Sequence, residues 1–311
     1  MKKEKYKGMG LLQFQRKFPS EASCWKHLIR KRWGDGFVCP KCKHTKCCVK
    51  VKMKLFRCYG CGWNVSPTIG TLFHGSHVPL RKWFWAIYLM SSSKKGVSSL
   101  YLQRELELGT YRTAWRMAQK IRKAMKKRNE TYRLGGVVEA DEIWLGAKRA
   151  KKKYREDPNA SNTQVAYLVQ VQESVGSDPT KVFPKFARIQ SIENCGTETL
   201  IPAIEKTTEK GSILKTDGHQ GYWELAHRGY EVQSISANQQ PKVVAKHLYW
   251  VNMVASNLKR FLLSTHHGVH RAYRDDYVAE FEYRLNRRFW PKEAFDRLFT
   301  LSVNSTPCFV G

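Results

Sequence analysis

Two closely spaced pairs of cysteines constrain this chain more than any other feature of its sequence. Cys39 and Cys42 form one CxxC pair, Cys58 and Cys61 form the second, and fifteen residues separate the two pairs. Each pair can place two thiolates on one tetrahedral zinc ion, with zinc–sulfur bonds of about 2.3 Å. Because four protein ligands leave no open position on the ion, the motif predicts a structural zinc ribbon and not a catalytic zinc site.

The other cysteines leave alternatives open. The chain has nine cysteines, and Cys47 and Cys48 lie between the two pairs, where they could substitute as zinc ligands. Four unrelated buried thiols would be the plainest explanation of the motif, but the paired spacing argues against it. The basic first residues lack the apolar run of a signal peptide. We therefore expect reduced thiols in the cytoplasm, with nucleoid association in a prokaryote, or in the nucleus of a eukaryote.

The charge of the chain favours a polyanionic partner. The formal net charge is +29, and each phosphate that a lysine or arginine neutralises releases a counterion. Ribosomal or membrane-surface binding would also fit this charge, so the charge alone does not name the partner. Since no apolar stretch reaches 18 residues, we expect no membrane span.

Composition separates the chain into three predicted domains. Its 311 residues exceed one typical domain, and 42% hydrophobic residues suffice for real cores. We predict an N-terminal helix and the zinc ribbon over 1–75, a helical region over 76–133 and an α/β domain over 134–305. The last region alternates β-branched segments with helical ones, which predicts a mixed sheet with flanking helices. Its charged segment 148–157 is predicted to be a loop.

The helical region contains a pattern typical of a helix-turn-helix. Two helical segments meet near Gly109, and each carries an apolar stripe that could face the other. The stripes are Val97, Leu100, Leu102 and Leu106 in the first segment, and Ala114, Met117 and Ile121 in the second. The second segment also carries four cations suited to phosphates or base edges: Arg112, Arg116, Lys120 and Arg122. An ordinary pair of packed helices with solvated charges is the alternative.

Three polar residues of the last region form a candidate metal site. Asp141 ends the apolar run that begins at Val137, and Asp217 ends a second short strand. Asn252 lies at the start of a predicted helix, with thirty-four residues between it and Asp217. Acidic groups at strand ends can converge on one edge of a mixed sheet, where they could hold two Mg²⁺ ions about 4 Å apart on a phosphodiester.

The helix that follows Asn252 adds to this prediction. Lys259 shares a helical face with Asn252 and could touch a DNA backbone, while His247 just upstream could contact a phosphate. Each member also has a simpler interpretation. Asp217-Gly218 is typical of a turn, Asp141 and Glu142 could be a surface acid pair, and Asn252 could be a helix cap.

Several segments together resemble the DDE-type transposases of insertion sequences related to the Merlin superfamily. The catalytic-region segments are VEADEIWLGAK, KTDGHQGY and HLYWVNMVASNLKRFLLSTHHGV, and the front-end segments include GFVCPKC, RCYGC and SPTIGTLF. The resemblance covers residues 10–290 or thereabouts. It implies a ribonuclease-H-like α/β fold behind the zinc ribbon and the helix-turn-helix, dependence on Mg²⁺ or Mn²⁺, and cut-and-paste or related transposition.

The resemblance also assigns the metal-binding positions. The family's two aspartates match Asp141 and Asp217, and its third position aligns with Asn252. Many relatives carry Glu there, whereas others carry Asn with a Lys seven residues later, and Asn252 with Lys259 fits that second pattern. A neutral amide oxygen neutralises no charge, so the second ion should bind more weakly. Glu142 or Glu280 could instead supply a missing carboxylate.

We therefore interpret the sequence as that of a transposase. It is expected to bind terminal inverted repeats, to cut a DNA strand with Mg²⁺ or Mn²⁺, and to use the freed 3′-hydroxyl to attack target DNA. A homodimer or larger assembly is expected because two transposon ends must be brought together. Two alternatives remain: a domesticated, non-catalytic zinc-ribbon DNA-binding protein, and another ribonuclease-H-like nuclease such as a junction resolvase.

Overall fold

A computed structural model of the protein describes residues 8–50, 54–146, 164–176, 178, 180–235 and 241–305. The predicted charged loop at 148–157 lies outside these residues. The chain divides into two compact units, the first made of Met1–Met125 with Phe289–Gly311 and the second of Lys126–Arg288. Within the described ranges, none of the helices is both long enough and apolar enough to cross a membrane.

Helices dominate the first unit, and a mixed sheet organises the second. In chain order, the helices are α1 (Leu11–Lys17), α2 (Glu21–Trp33), α3 (Leu80–Ser92), α4 (Ser99–Glu105), α5 (Tyr111–Asn129), α6 (Thr197–Thr207), α7 (Pro241–His247), α8 (Tyr249–His266), α9 (Arg271–Asn286) and α10 (Ala294–Asn304). The strands are β1 (Cys47–Lys50), β2 (Leu55–Cys58), β3 (Asn64–Val65), β4 (Val137–Leu145), β5 (Val165–Val175), β6 (Val182–Ile192), β7 (Ile213–Thr216) and β8 (Glu231–Ser234). A 3-10 helical segment covers Gln220–Arg228.

Aromatic packing holds the helices of the first unit together. Phe14 of α1 lies 5.3 Å from Phe295 of α10, and Phe84 of α3 lies 4.6 Å from Phe299 of α10, measured between ring centroids. All four rings are buried. Such ring pairs stabilise a fold beyond the area that they bury. Helix α10 therefore packs in the first unit, although the sequence grouped residues up to 305 with the α/β region; the division into three domains stays a prediction.

The two helices predicted around Gly109 are present as α4 and α5. Most of the predicted contact stripe is buried, including Leu102 and Met117, but Leu100 is 46% exposed. The prediction was also wrong for Arg122. Its side chain is completely buried, and one guanidinium nitrogen lies 3.5 Å from the carbonyl oxygen of Val97. Arg122 therefore lies inside the helix pair and cannot present its charge to DNA.

The second unit has the topology of a ribonuclease-H-like fold, as predicted. Its five strands lie in the order β6-β5-β4-β7-β8. Strands β5 and β6 run antiparallel to their neighbours, whereas β7 is parallel to β4 and β8 is parallel to β7. One face of the sheet packs against α8 and α9 around Val169 and Leu258, and the other packs against α6 around Leu168 and Ile204. Since successive residues of a strand point to opposite faces, β4 supplies side chains to both layers.

Candidate functional site

Asp141 lies on β4, and Asp217 directly follows β7, the strand that pairs with β4 in parallel. The parallel ladder between β4 and β7 pairs Glu139 with Lys215. If this register is continued by two residues along both strands, Asp217, which directly follows β7, comes level with Asp141. Asp217 also accepts the backbone N–H of His219 at 3.0 Å, which orients its carboxylate. The two aspartates that the sequence singled out are therefore brought together by strand pairing.

The electrostatics of Asp141 show which charged groups surround it. Burial raises the pKa of Asp141 to about 7, and the carboxylates of Glu142 and Asp217 add to the rise. The backbone N–H of Glu142 and the ammonium of Lys259 act in the opposite direction. Carboxylates that are partly desolvated and close to one another are costly without a cation, and such arrangements cluster at functional sites. The structure thus gathers Asp141, Glu142, Asp217 and Lys259.

The side chain of Glu142 points to the opposite face of β4 from that of Asp141, and it has a hydrogen-bond partner of its own. The hydroxyl of Tyr222 donates a hydrogen bond to the Glu142 carboxylate. Burial raises the pKa of Glu142, whereas this hydrogen bond and the nearby His219 lower it. Sequence reasoning missed both Tyr222 and His219. They stand inside the segment KTDGHQGY, but nothing local in that segment shows that its tyrosine reaches the next strand of the sheet.

Asn252 and Lys259 lie on α8 and are both exposed. They are seven residues apart, nearly two helical turns, so their side chains share one face of the helix. Asn252 donates its backbone N–H to the carbonyl oxygen of Leu248 at 3.1 Å and therefore belongs to the first turn. The charge of Lys259 acts on Asp141, as described above. The same helix face thus carries Asn252 and a cation that acts on the aspartate cluster.

The remaining predicted candidates have different surroundings. His247 ends α7, and its Nε2 lies 2.9 Å from the carbonyl oxygen of Gln233, next to β8. Glu280 is completely buried on α9 and forms an ion pair with Arg284 at 3.4 Å. Of the two carboxylates considered as substitutes for the third ligand, Glu142 raises the pKa of Asp141 through its charge, and the charge of Asp217 raises the pKa of Glu142.

Glu139 is a second residue that the sequence did not single out. It is 1% exposed, and its carboxylate accepts the backbone N–H of Val251 at 2.7 Å, at the start of α8. Burial raises the pKa of Glu139 to about 8, although the N–H of Val251 lowers it. Glu139 stands two residues before Asp141 on the same face of β4. This hydrogen bond therefore joins the start of the helix that carries Asn252 to the strand that carries Asp141.

Removal of the Glu139 carboxylate, which accepts the N–H of Val251, is expected to shift the start of α8 and with it Asn252. We expect Glu139→Ala to lower any metal-dependent activity by about 10- to 100-fold, as for other residues that orient metal ligands. Glu139→Gln keeps an oxygen that can accept the N–H of Val251 and should recover most of that loss. Initial rates and unfolding temperatures of both variants check this. Equal losses in the two variants would contradict the positioning role and indicate that the charge of Glu139 is what matters.

The four cysteines of the CxxC pairs converge as predicted. The sulfur atoms of Cys39 and Cys61 are 3.7 Å apart, and those of Cys42 and Cys58 are 3.5 Å apart. Four sulfurs at zinc–sulfur bonds of about 2.3 Å from one tetrahedral ion would be about 3.8 Å apart, so these thiols fit zinc. In the described part of the chain, this is the one group of three or more potential ligands that lie within 4.8 Å of one another. The carboxylates around Asp141 are therefore spaced more widely than the thiols.

Local backbone turns place the cysteines. Strand β1 pairs antiparallel with β2, with Cys47 opposite Cys58. The chain makes a tight turn at each CxxC pair. In the first turn Lys43 donates its backbone N–H to the carbonyl oxygen of Cys39, and in the second Gly62 donates to the carbonyl oxygen of Cys58, both at 2.9 Å. Gly62 has φ of +69°, in the left-handed region that favours glycine. The backbone therefore brings the two pairs together: Cys39 and Cys58 lie in a small buried core that includes Phe56, whereas Cys42 and Cys61 are exposed.

A closed zinc ribbon and a ribonuclease-H-like domain with paired aspartates are the two parts of a DDE-type transposase. Comparisons with known proteins agree with this combination. Residues 19–64 match the profile of the transposase zinc-ribbon domain, and residues 133–286 match the profile of the ISXO2-like transposase domain. The chain belongs to this family of insertion-sequence transposases.

One curated relative matches almost the whole chain. It is an uncharacterized protein of the transposable element ISH50 from Halobacterium salinarum, 25% identical over an alignment of 300 residues that covers 91% of this chain and 96% of the relative. Two solved structures also match, each at 12% identity. A pre-cleavage Mos1 transpososome has a TM-score of 0.26 and covers 73% of this chain and 80% of its own. A Mos1 transposase paired-end complex with the left transposon end has a TM-score of 0.25 and covers 70% and 78%.

Proposed function

We propose that this transposase binds the terminal inverted repeats of its element, cleaves a DNA strand at each end, and joins the freed 3′-hydroxyl to a phosphate of target DNA, which breaks the target strand as its own 3′-oxygen leaves. The observation that carries the proposal is the pair of aspartates: Asp141 lies on β4, Asp217 directly follows the parallel neighbouring strand β7, and the charge of Asp217 acts on Asp141. Burial and mutual repulsion raise the pKa of Asp141, and such a cluster is relieved by cations.

Each residue of this site would have a separate role. Asp141 and Asp217 would hold divalent ions, and Asn252 would add a neutral oxygen on the side of α8. Bound Mg²⁺ or Mn²⁺ would supply charge to activate water and to stabilise the leaving oxygen. Lys259, exposed on the same face as Asn252, would contact a DNA phosphate, and His247 would contact the strand near the cut. Oxygen donors are the ligands that these ions prefer, so the residues fit them.

The first unit would recognise the transposon ends. Arg112 is exposed on α5, and Arg116 and Lys120 are half-buried there, so three of the four predicted cations remain accessible to DNA. The net charge of +29 supports contact with a polyanion. Because a transposition event joins two ends, we propose a homodimer or larger assembly, acting where the element's DNA resides.

Cleavage of DNA that carries the element's own ends tests the proposal. The full-length, zinc-loaded protein would be incubated with labelled end DNA and with the same DNA carrying scrambled ends, with and without Mg²⁺ or Mn²⁺. We expect nicks at the ends, followed by joined products, only with a divalent ion and intact ends. Asp217→Ala should lose both products and keep binding.

Three outcomes would contradict parts of the proposal. Equal cleavage by the wild type and Asp217→Ala would remove the assigned site. Specific binding of end DNA without cutting under Mg²⁺ or Mn²⁺ would indicate a non-catalytic DNA-binding protein. Preference for branched DNA over end sequences would indicate a junction-resolving nuclease.

A further inference from the structure

A groove with a volume of about 690 Å³ lies in the first unit, between helix α2 and the hairpin β1–β2 of the zinc ribbon. We call it the ribbon groove. Its apolar lining includes the aromatic rings of Phe18, Trp25 and Phe56 and the aliphatic side chains of Ile29 and Val49. Val49 is 54% exposed although it is a large apolar residue. Apolar surface in an accessible groove favours a ligand that can cover it.

Four cations surround this apolar lining. Lys17, Lys26, Arg30 and Lys54 all line the ribbon groove, and all four are exposed. Among the described residues that line it, none is acidic. Lys17 lies 3.4 Å from Asp296, an exposed ion pair of a kind that contributes little. The groove therefore combines an apolar surface with a positive rim, which suits a ligand that is both flat and anionic.

Trp25 is held in place by a half-buried network of hydrogen bonds. Its indole Nε1 donates to Glu21 at 3.0 Å, and the same carboxylate accepts the backbone N–H groups of Leu80 and Arg81 at 2.9 and 2.8 Å. The ammonium of Lys54 lies 4.9 Å from the centroid of the Trp25 ring. The ring is thus fixed before any ligand arrives, and the ammonium of Lys54 lies over one of its faces. Preorganised aromatic surfaces bind with a smaller loss of conformational entropy.

We propose that the ribbon groove binds single-stranded DNA, with a nucleobase against the ring of Trp25 and the adjoining phosphates on Lys26, Arg30 and Lys54. Every base has a face that can stack on an aromatic ring, and the backbone beside it is anionic. A duplex keeps its bases inside the helical stack and would offer only phosphates to the rim. The apolar lining therefore favours an unpaired strand over a duplex.

This inference goes beyond the proposed function and does not require it. Cut or opened transposon ends expose unpaired strands, and the groove would hold such a strand on the first unit. The binding needs no divalent ion and no residue of the aspartate cluster. A failure of the groove proposal and a failure of the cleavage proposal can therefore be told apart.

Equilibrium binding of labelled oligothymidylate to the full-length, zinc-loaded protein, without added Mg²⁺, tests the proposal. A duplex of equal length and random sequence serves as the comparison, at about 0.15 M salt. Trp25→Leu should lower the affinity for the single strand by about fivefold or more and leave the duplex affinity unchanged. Trp25→Phe keeps an aromatic face and should retain most of the affinity. Zinc content and circular dichroism verify that each variant is folded.

The lysines are tested by the salt dependence of the same binding. Lys26→Ala combined with Lys54→Ala should reduce the slope of log K against log salt by about 0.7 for each phosphate that the variant no longer neutralises. Lys31→Ala is the matched control, because Lys31 is exposed on the same helix and does not line the groove. Unchanged single-strand affinity in Trp25→Leu would overturn the proposal. An equal loss of affinity for duplex and single strand would also overturn it, because it would indicate a site that binds phosphates alone.

Discussion

Replacement of Asp141 by asparagine is expected to lower strand cleavage by about a thousandfold or more without destabilising the protein. Loss of a ligand to a catalytic ion removes several kcal/mol of transition-state stabilisation, and each factor of ten in rate corresponds to about 1.4 kcal/mol. Asparagine has nearly the shape of aspartate, so packing is retained. Initial cleavage rates and thermal unfolding of the two proteins, measured on the same preparations, provide the check.

The expected effect on stability follows from the surroundings of Asp141. Its folded-state pKa is raised to about 7 by burial and by the carboxylates of Glu142 and Asp217, whereas an unfolded chain would release the proton near pH 4. The wild type therefore loses stability as the pH rises from about 4 to about 7 in metal-free buffer, and the asparagine variant should not lose this contribution. The gain of the variant over the wild type should grow across that range.

A surface acid provides the matched control for this experiment. Glu231 is exposed at the start of β8 in the same unit, and Glu231→Gln should change neither the rate nor the stability. If Asp141→Asn cleaved DNA at the wild-type rate, Asp141 could not be a metal ligand. If it lost activity and also unfolded at a much lower temperature, the loss would reflect folding and not chemistry.

The second large effect is expected at the zinc site. Cys58→Ser should abolish zinc binding, because it removes one of four ligands and Cys58 is 1% exposed, at the centre of the ribbon core. Structural zinc contributes about 10–16 kcal/mol of apparent binding free energy in small zinc domains, so a ribbon without it should not fold. Zinc content per chain and binding of end DNA should both fall. Circular dichroism should still report the sheet of the second unit.

Cys48→Ser separates loss of zinc from loss of a thiol. Cys48 lies in the same hairpin, is half-buried, and does not belong to the cluster of four sulfurs. We expect it to bind one zinc ion per chain, as the wild type should. Full zinc content in Cys58→Ser would show that another cysteine, such as Cys47, replaces the missing ligand, and the four-cysteine assignment would then be wrong.

The features that were predicted correctly from the sequence depend on residues that are close together along the chain. The convergence of the four cysteines follows from CxxC spacing and short turns, of which the turn at Gly62 is one. The position of Asp217 after a short strand could be seen in the apolar run that precedes it. Each of these depends on a few neighbouring residues.

The features that sequence did not predict depend on contacts between distant segments. The hydrogen bond from Tyr222 to Glu142 spans eighty residues, and the one from Val251 to Glu139 spans 112. The burial of Arg122 depends on a carbonyl group twenty-five residues away. A helical pattern indicates which side of α5 carries cations, but not which of them the preceding helix covers. Strand register and helix packing decide such contacts, and neither has a local signal.

The crowding of carboxylates around Asp141 also affects which substitutions would stabilise the fold. In the absence of a cation, ionised acids at partly buried positions oppose folding, so substitutions that remove them would make the chain more stable. A copy that is no longer selected for the proposed DNA cleavage would lose no function through such substitutions, and its fold would be more stable. Under the proposed function, a related copy that has lost Asp141 or Asp217 should therefore unfold at a higher temperature than this protein in metal-free buffer and should not cleave DNA.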